Sequence, residues 1–137
     1  MPAENLPEPA PLDSQTTVAE LKALVERFVA ERNWHQFHTP KNLAMSLAIE
    51  AAELMEHFQW LTAEESHAVK DDAARRAAVG EELADVFCYG LALANVLQLD
   101  LAAAVQAKMV KNAVKYPASE FRGRWGAGDS RSAESAE

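Results

Sequence analysis

An all-α fold, a four-helix bundle, is what this chain of 137 residues predicts, and three observations carry that expectation. Apolar residues make up 49% of the chain, Ala and Leu dominate and β-branched residues are few, a balance that favours helix over strand. Apolar side chains recur at helical spacing in four separate stretches. Residues that start or stop helices, such as Thr17, Thr39, Asp100 and Pro117, stand at the edges of those stretches.

The first helix opens at a capping box, in which Thr17 accepts from the backbone amide near Glu20 while Glu20 reaches back. Val18, Leu21, Leu24, Val25 and Phe28 follow at helical spacing, to about Arg32. The next segment, 33–42, is short, aromatic and polar together, the character of a binding loop more than of a connector. Helix two starts near Pro40, whose missing amide is harmless in a first turn, with Thr39 or Asn42 as cap. Its core stripe is Leu43, Leu47, Ala51, Leu54 and Phe58, and a second, polar stripe runs through Ser46, Glu50, Glu53 and His57. The charged segment 61–72 reads as a loop or short helical turn. Helix three extends from about Ala73 to Gln98, with a stripe of Ala78, Glu82, Asp85, Tyr89 and Ala92. Asp100 caps helix four, which carries Leu101, Val105 and Met109 with Lys108, Lys111 and Lys115 before Pro117 ends it.

These elements form one domain over residues 16–117. Residues 1–15 hold four of the six prolines and are expected to be disordered, and 118–137, rich in Ala, Ser, Gly and Glu, to be a flexible tail. The formal charge of −8 carries no basic stripe, which argues against duplex nucleic acid as a partner. The apolar run 84–99 is too short and, with Asp85, too acidic to span a membrane. One cysteine, Cys88, allows no internal disulfide and reads as a buried, inert thiol; no secretory signal is visible in the first residues, and a cytoplasmic location is expected.

Four carboxylates hold most of the chemistry. Glu50 and Glu53 on helix two, and Glu82 and Asp85 on helix three, are pairs three residues apart, which places each pair within about 60° and about 4.5 Å along its helix. Asp85 is the only charged residue from Ala84 to Leu99, so burial of its carboxylate is expected, with a cation to meet it. If the two helices pack antiparallel, the pairs face each other. Hard oxygen donors select Mg2+, Mn2+ or Ca2+ over zinc, and such an ion would handle phosphate. The competing account is a set of solvated acids on helix surfaces.

At this point the chain resembles the MazG-like, all-α nucleotide pyrophosphohydrolases. Glu50-x-x-Glu53 followed by Glu82-x-x-Asp85 is similar to their divided acidic motif. The segments 31–38 (ERNWHQFH), 40–43 (PKNL), Glu53-Leu54 with 58–60 (FQW), 81–86 (EELADV), and Lys108-Met109 through Asn112 to Tyr116-Pro117 resemble the dCTP pyrophosphatase type in order and spacing, over about residues 17–117. Many MazG-like chains carry a further Glu beside the first of the pair, where this chain has Ile49; the dCTP type lacks an acid there too. The resemblance implies a four-helix MazG-like bundle that hydrolyses a nucleoside triphosphate to monophosphate and pyrophosphate. It implies Mg2+, with Mn2+ as substitute, held by Glu50, Glu53, Glu82 and Asp85, and a homotetramer built as a dimer of dimers.

A base needs a flat apolar slot and a few polar edges. Trp34 and Trp60 can stack on it, and His38 and Asn42 can touch base edge or sugar, whereas Phe37 is assigned to the core and His57 to the helix surface. Lys108, Asn112, Lys115 and Tyr116 match the family's phosphate-contacting segment, and Lys41 is a further cation. Glu50 or Glu53 is the candidate general base, holding a water. Two other readings compete: a ferritin-like metal-binding bundle, for which only Glu64-x-x-His67 has the needed spacing, and a helical interaction module without catalysis.

Overall fold

The computed structural model describes residues 11–124, and every regular element among them is helical. The helices are α1 (Val18–Glu31), α2 (Pro40–Glu56), α3 (Ala63–Ala68), α4 (Ala73–Val96), α5 (Leu101–Lys115) and α6 (Ala118–Phe121), with 3-10 turns at Leu12–Ser14, Trp34–Gln36 and Val69–Asp71. The four expected helices are α1, α2, α4 and α5. Two short ones are added, α3 inside the charged connector and α6 after Pro117. Most of the expected N-terminal lead-in, and the tail from Trp125 onward, lie outside the described residues.

Local chemistry sets the helix starts. Thr17 and Glu20 form the full capping box at α1, and Thr62 with Glu65 repeats it at α3. Thr39, Asp72 and Asp100 each accept a backbone amide at the starts of α2, α4 and α5. Pro40 occupies the first turn of α2, where no amide is needed.

The chain divides into two compact units, Met1–Leu99 and Asp100–Glu137. In the first, α2 lies along α4. Leu47 stands 3.8 Å from where a Cβ on Gly90 would be, and His57 reaches Glu82, so numbers rise on one helix as they fall on the other and the pair is antiparallel. α1 is tied to α4 by the Asn95 side-chain amide, which donates to the Lys22 carbonyl (2.9 Å), and to the segment after α4 by Lys22 Nζ, which donates to the Leu99 carbonyl (2.7 Å). Val29, Leu43, Val69, Leu91, Ala92 and Ala94 form the buried core. Of the stripe expected on α2, Leu43 is fully buried, Leu47, Leu54 and Phe58 are half-buried, and Ala51 is exposed. In the second unit the Tyr116 ring meets Phe121 edge-on at 5.3 Å, which seats α6 against the end of α5.

Leu43 is 1% exposed, and truncating it leaves a cavity that a helix pair of this size closes poorly. Leu43→Ala should lower unfolding free energy by about 2–5 kcal/mol in urea titrations followed by far-ultraviolet circular dichroism, with the helical signal retained in water.

Candidate active site

The antiparallel register of α2 and α4 brings carboxylates from both helices to one place. Glu50, Glu53 and Glu82 each offer an oxygen, and the three oxygens lie within 4.8 Å of one another. Glu50 and Glu82 are half-buried and Glu53 is exposed. Three like charges this close cannot all ionise at no cost. The result is visible at Glu50, whose pKa is pushed up to about 7, first by a hydrogen bond shared with Glu53, then by partial desolvation and the charges of Glu53, Asp85 and Glu82. A divalent cation fits this donor set: the oxygens are hard, they come from two rigid helices, and their repulsion is what a cation would relieve.

Asp85 is close enough for its charge to raise the Glu50 pKa, but it stands outside the three-oxygen cluster. It is exposed, which corrects the expectation that apolar neighbours would bury it. Those neighbours are themselves uncovered within this chain: Leu83 and Phe87 are both exposed. From Val86 onward α4 is apolar on nearly every side, so apolar flanks there do not report burial.

Asp85 instead lines a cavity of about 150 Å3 together with Phe28, Trp34, His38, Cys88 and Tyr89. One wall is the loop before α2. Asn33 adopts a left-handed conformation (φ 53°), which turns the chain off α1 into the 3-10 turn Trp34–Gln36. Trp34 packs edge-on against Phe28 at 5.7 Å between ring centres and lies 6.3 Å from the His38 ring, while the Arg32 guanidinium covers the Phe28 face at 3.6 Å. The Asn42 side-chain amide donates to the Phe37 carbonyl, so it fastens this loop to α2. Phe37, assigned to the core from sequence, is exposed. Cys88 is exposed as well, against expectation, but desolvation of its thiol, with Asp85 adding to it, raises its pKa and keeps it protonated.

Trp60 is 86% exposed and borders a different cavity, of about 250 Å3, with Glu56, His57 and Arg75. His57, set aside in the sequence reading as a surface histidine, is half-buried with Nε2 4.0 Å from Glu82 Oε1. Its place on the polar stripe one turn after Glu53 was the available signal. Tyr89 was likewise visible one turn after Asp85. Lys108, Asn112, Lys115 and Tyr116 belong to the second unit, where Lys115 Nζ lies 5.2 Å over the Tyr116 ring and Asn112 is half-buried. Lys41 is exposed in the first turn of α2. Glu64 and His67 are exposed on α3 and do not join the acid cluster, so among the described residues the ferritin-like arrangement is not formed.

Known proteins are similar to this chain in sequence, and a solved structure is similar to it in fold. dCTP pyrophosphatase 1 from Bos taurus is 41% identical over 115 residues, which cover 84% of this chain and 68% of that protein. dCTP pyrophosphatase 1 from Homo sapiens is 43% identical over 104 residues, 76% of this chain and 61% of that one. Among solved structures, a pyrophosphatase from Archaeoglobus fulgidus matches with a TM-score of 0.67 at 43% identity, covering 72% of this chain and 91% of that chain. The model of the MazG-like family matches residues 45–125, more than half of the sequence and the part that holds the acid cluster. This chain belongs to the MazG-like family.

Proposed function

We propose that the chain is a nucleoside triphosphate pyrophosphohydrolase that acts on dCTP or a modified dCTP, releasing the monophosphate and pyrophosphate, with Mg2+ held by Glu50, Glu53 and Glu82 and joined by Asp85. Membership of the MazG-like family and the dCTP pyrophosphatase relatives support the enzyme class. The observation that carries the site is the meeting of three carboxylates from α2 and α4 beside an aromatic-walled cavity to which Asp85 contributes.

When bound, the cation neutralises the acids, polarises a phosphoryl oxygen and acidifies a coordinated water. The chain's own residues do the rest. Trp34 and His38 form the wall against which a base or sugar packs, and Asn42 holds that wall in place. Trp60 supplies a second exposed aromatic face, and the second unit carries cations and donors of its own in Lys108, Asn112, Lys115 and Tyr116. Glu50 or Glu53 holds the attacking water and accepts its proton as the bond between the first two phosphates breaks.

We also infer a homotetramer, a dimer of dimers, in the cytoplasm. Met45, Ile49 and Phe87 are exposed large apolar side chains on the same two helices as the acids, and a second copy would cover them. No single helix among the described residues is long and apolar enough to cross a membrane.

Pure protein incubated with the common deoxynucleoside triphosphates and Mg2+ should yield monophosphate and pyrophosphate, fastest with dCTP. Orthophosphate as the product, or no turnover with any nucleotide, would reject the reading. Glu53→Ala and Asp85→Ala should each cut turnover by about a hundredfold or more with helical content intact. Light scattering coupled to size exclusion should give four copies, and Phe87→Glu should reduce that number.

Metal and pH are linked through Glu50. Its folded-state pKa is raised, so the native state holds a proton that the unfolded chain releases near 4.5. That contribution to stability is complete below about pH 4.5 and is lost as pH rises through about 7. Metal-free protein should therefore melt at lower temperature as pH rises across this window. Added Mg2+ should raise the melting temperature more above pH 7 than below it, because the cation displaces the Glu50 proton.

A further inference from the structure

The aromatic wall is held from two sides of α1, and one of the two holds lies outside the site described above. Trp34 rests on Phe28. The next residue, His35, turns back to the other side, where its Nε2 donates to Glu26 Oε1 over 2.6 Å. Glu26 and Phe28 are two apart on α1, about 200° around the helix, so they point to opposite flanks. The 3-10 turn Trp34–Gln36 straddles the end of α1 with one anchor on each flank.

We propose that the Glu26–His35 pair is a positioning clasp that fixes the rotation of the loop carrying Trp34 and His38, and thereby sets how tightly the cavity beside Asp85 grips the base or sugar of its nucleotide. The proposal rests on the reading of that cavity as the nucleoside subsite. Both side chains are about half exposed, at 51% and 49%, and ion pairs in such positions add little to global stability. A contact of 2.6 Å spanning nine residues does constrain orientation. Asn33 needs that constraint: its left-handed backbone is a single-residue reversal, and Gln36 Nε2 donating to the Asn33 carbonyl (3.1 Å) stiffens the turn without tying it to α1. Apart from the chain itself, the clasp and the Trp34–Phe28 contact are the side-chain links described between α1 and this turn.

Neither Glu26 nor His35 lines the cavity, so a loss of the pair should appear in binding and not in the chemical step. Glu26→Ala and His35→Ala should each raise the KM for dCTP by about three- to tenfold with kcat within about twofold. The double variant should be no worse than either single one, and the exchanged pair, Glu26→His with His35→Glu, should recover most of the wild-type KM. Melting temperatures should stay close to wild type. An unchanged KM in both single variants, or additive losses in the double, would overturn the clasp.

A second readout needs no turnover. With Trp60→Phe and Trp125→Phe, the remaining emission comes from Trp34, and acrylamide should quench it more strongly once Glu26→Ala or His35→Ala is added. Equal quenching would overturn the clasp even if the wild type hydrolyses dCTP. Stronger quenching in a protein that turns over no nucleotide would uphold the clasp and reject the proposed activity instead.

Discussion

Repulsion among three carboxylates, imposed by the packing of α2 on α4, is the constraint from which the rest of this molecule is best understood. Oxygens of Glu50, Glu53 and Glu82 held within 4.8 Å are unfavourable in isolation, and the response of the protein alone is to keep a proton on Glu50 up to about pH 7. The helices tolerate this because their contact is secured elsewhere. Leu43 and Leu91 are buried in the core, and Leu47 meets α4 where Gly90 presents no side chain. Packing of this kind is non-directional and outweighs a local charge penalty. The cluster is therefore a place where folding leaves electrostatic work for a ligand to relieve.

The aromatic loop solves a different problem. A base-sized surface must be flat, apolar and fixed beside the acids, and in the eight-residue loop between the two helices the Phe37 and His38 amides donate to the Trp34 carbonyl and set the local turn. Side chains add the ties to the flanking helices: the Asn42 amide reaches the Phe37 carbonyl from the first turn of α2, Thr39 caps that turn, and Arg32 and Trp34 hold Phe28 between them. Polar contacts at the rim thus order an apolar wall that is too small and too exposed to order itself.

Much of this was legible in the sequence because it is local. Thr17 with Glu20, Thr39 before Pro40, and Asp100 announce helix starts through hydrogen bonds that span three or four residues, and all three are formed. The acid pairs were legible for the same reason, since their spacing follows from helix geometry alone. Asp85 was misread: a carboxylate among apolar neighbours implies burial only where those neighbours are themselves covered, and Phe87 is 60% exposed. His57 beside Glu82 was legible only in part: its place on the polar stripe of α2 was visible, but its partner depends on the register between α2 and α4, which neither helix sets by itself. The capping box at Thr62 could have been found, with Glu65 at the required spacing, but the charged composition around it masked a helix of only six residues.

The position of the acids along α2 adds one more effect. Glu53 lies in the last turn of that helix and Glu50 one turn earlier, near the end where the helix macrodipole is negative. Peptide dipoles thus reinforce the side-chain field, and unlike the carboxylates they cannot be silenced by protonation. A naked polyphosphate approaching this end would be repelled by the main chain at any pH and by the side chains wherever they are ionised. Entry is open to a nucleotide whose charge is already masked by its counter-ion, and this makes the metal complex, not the free anion, the form that the binding step selects.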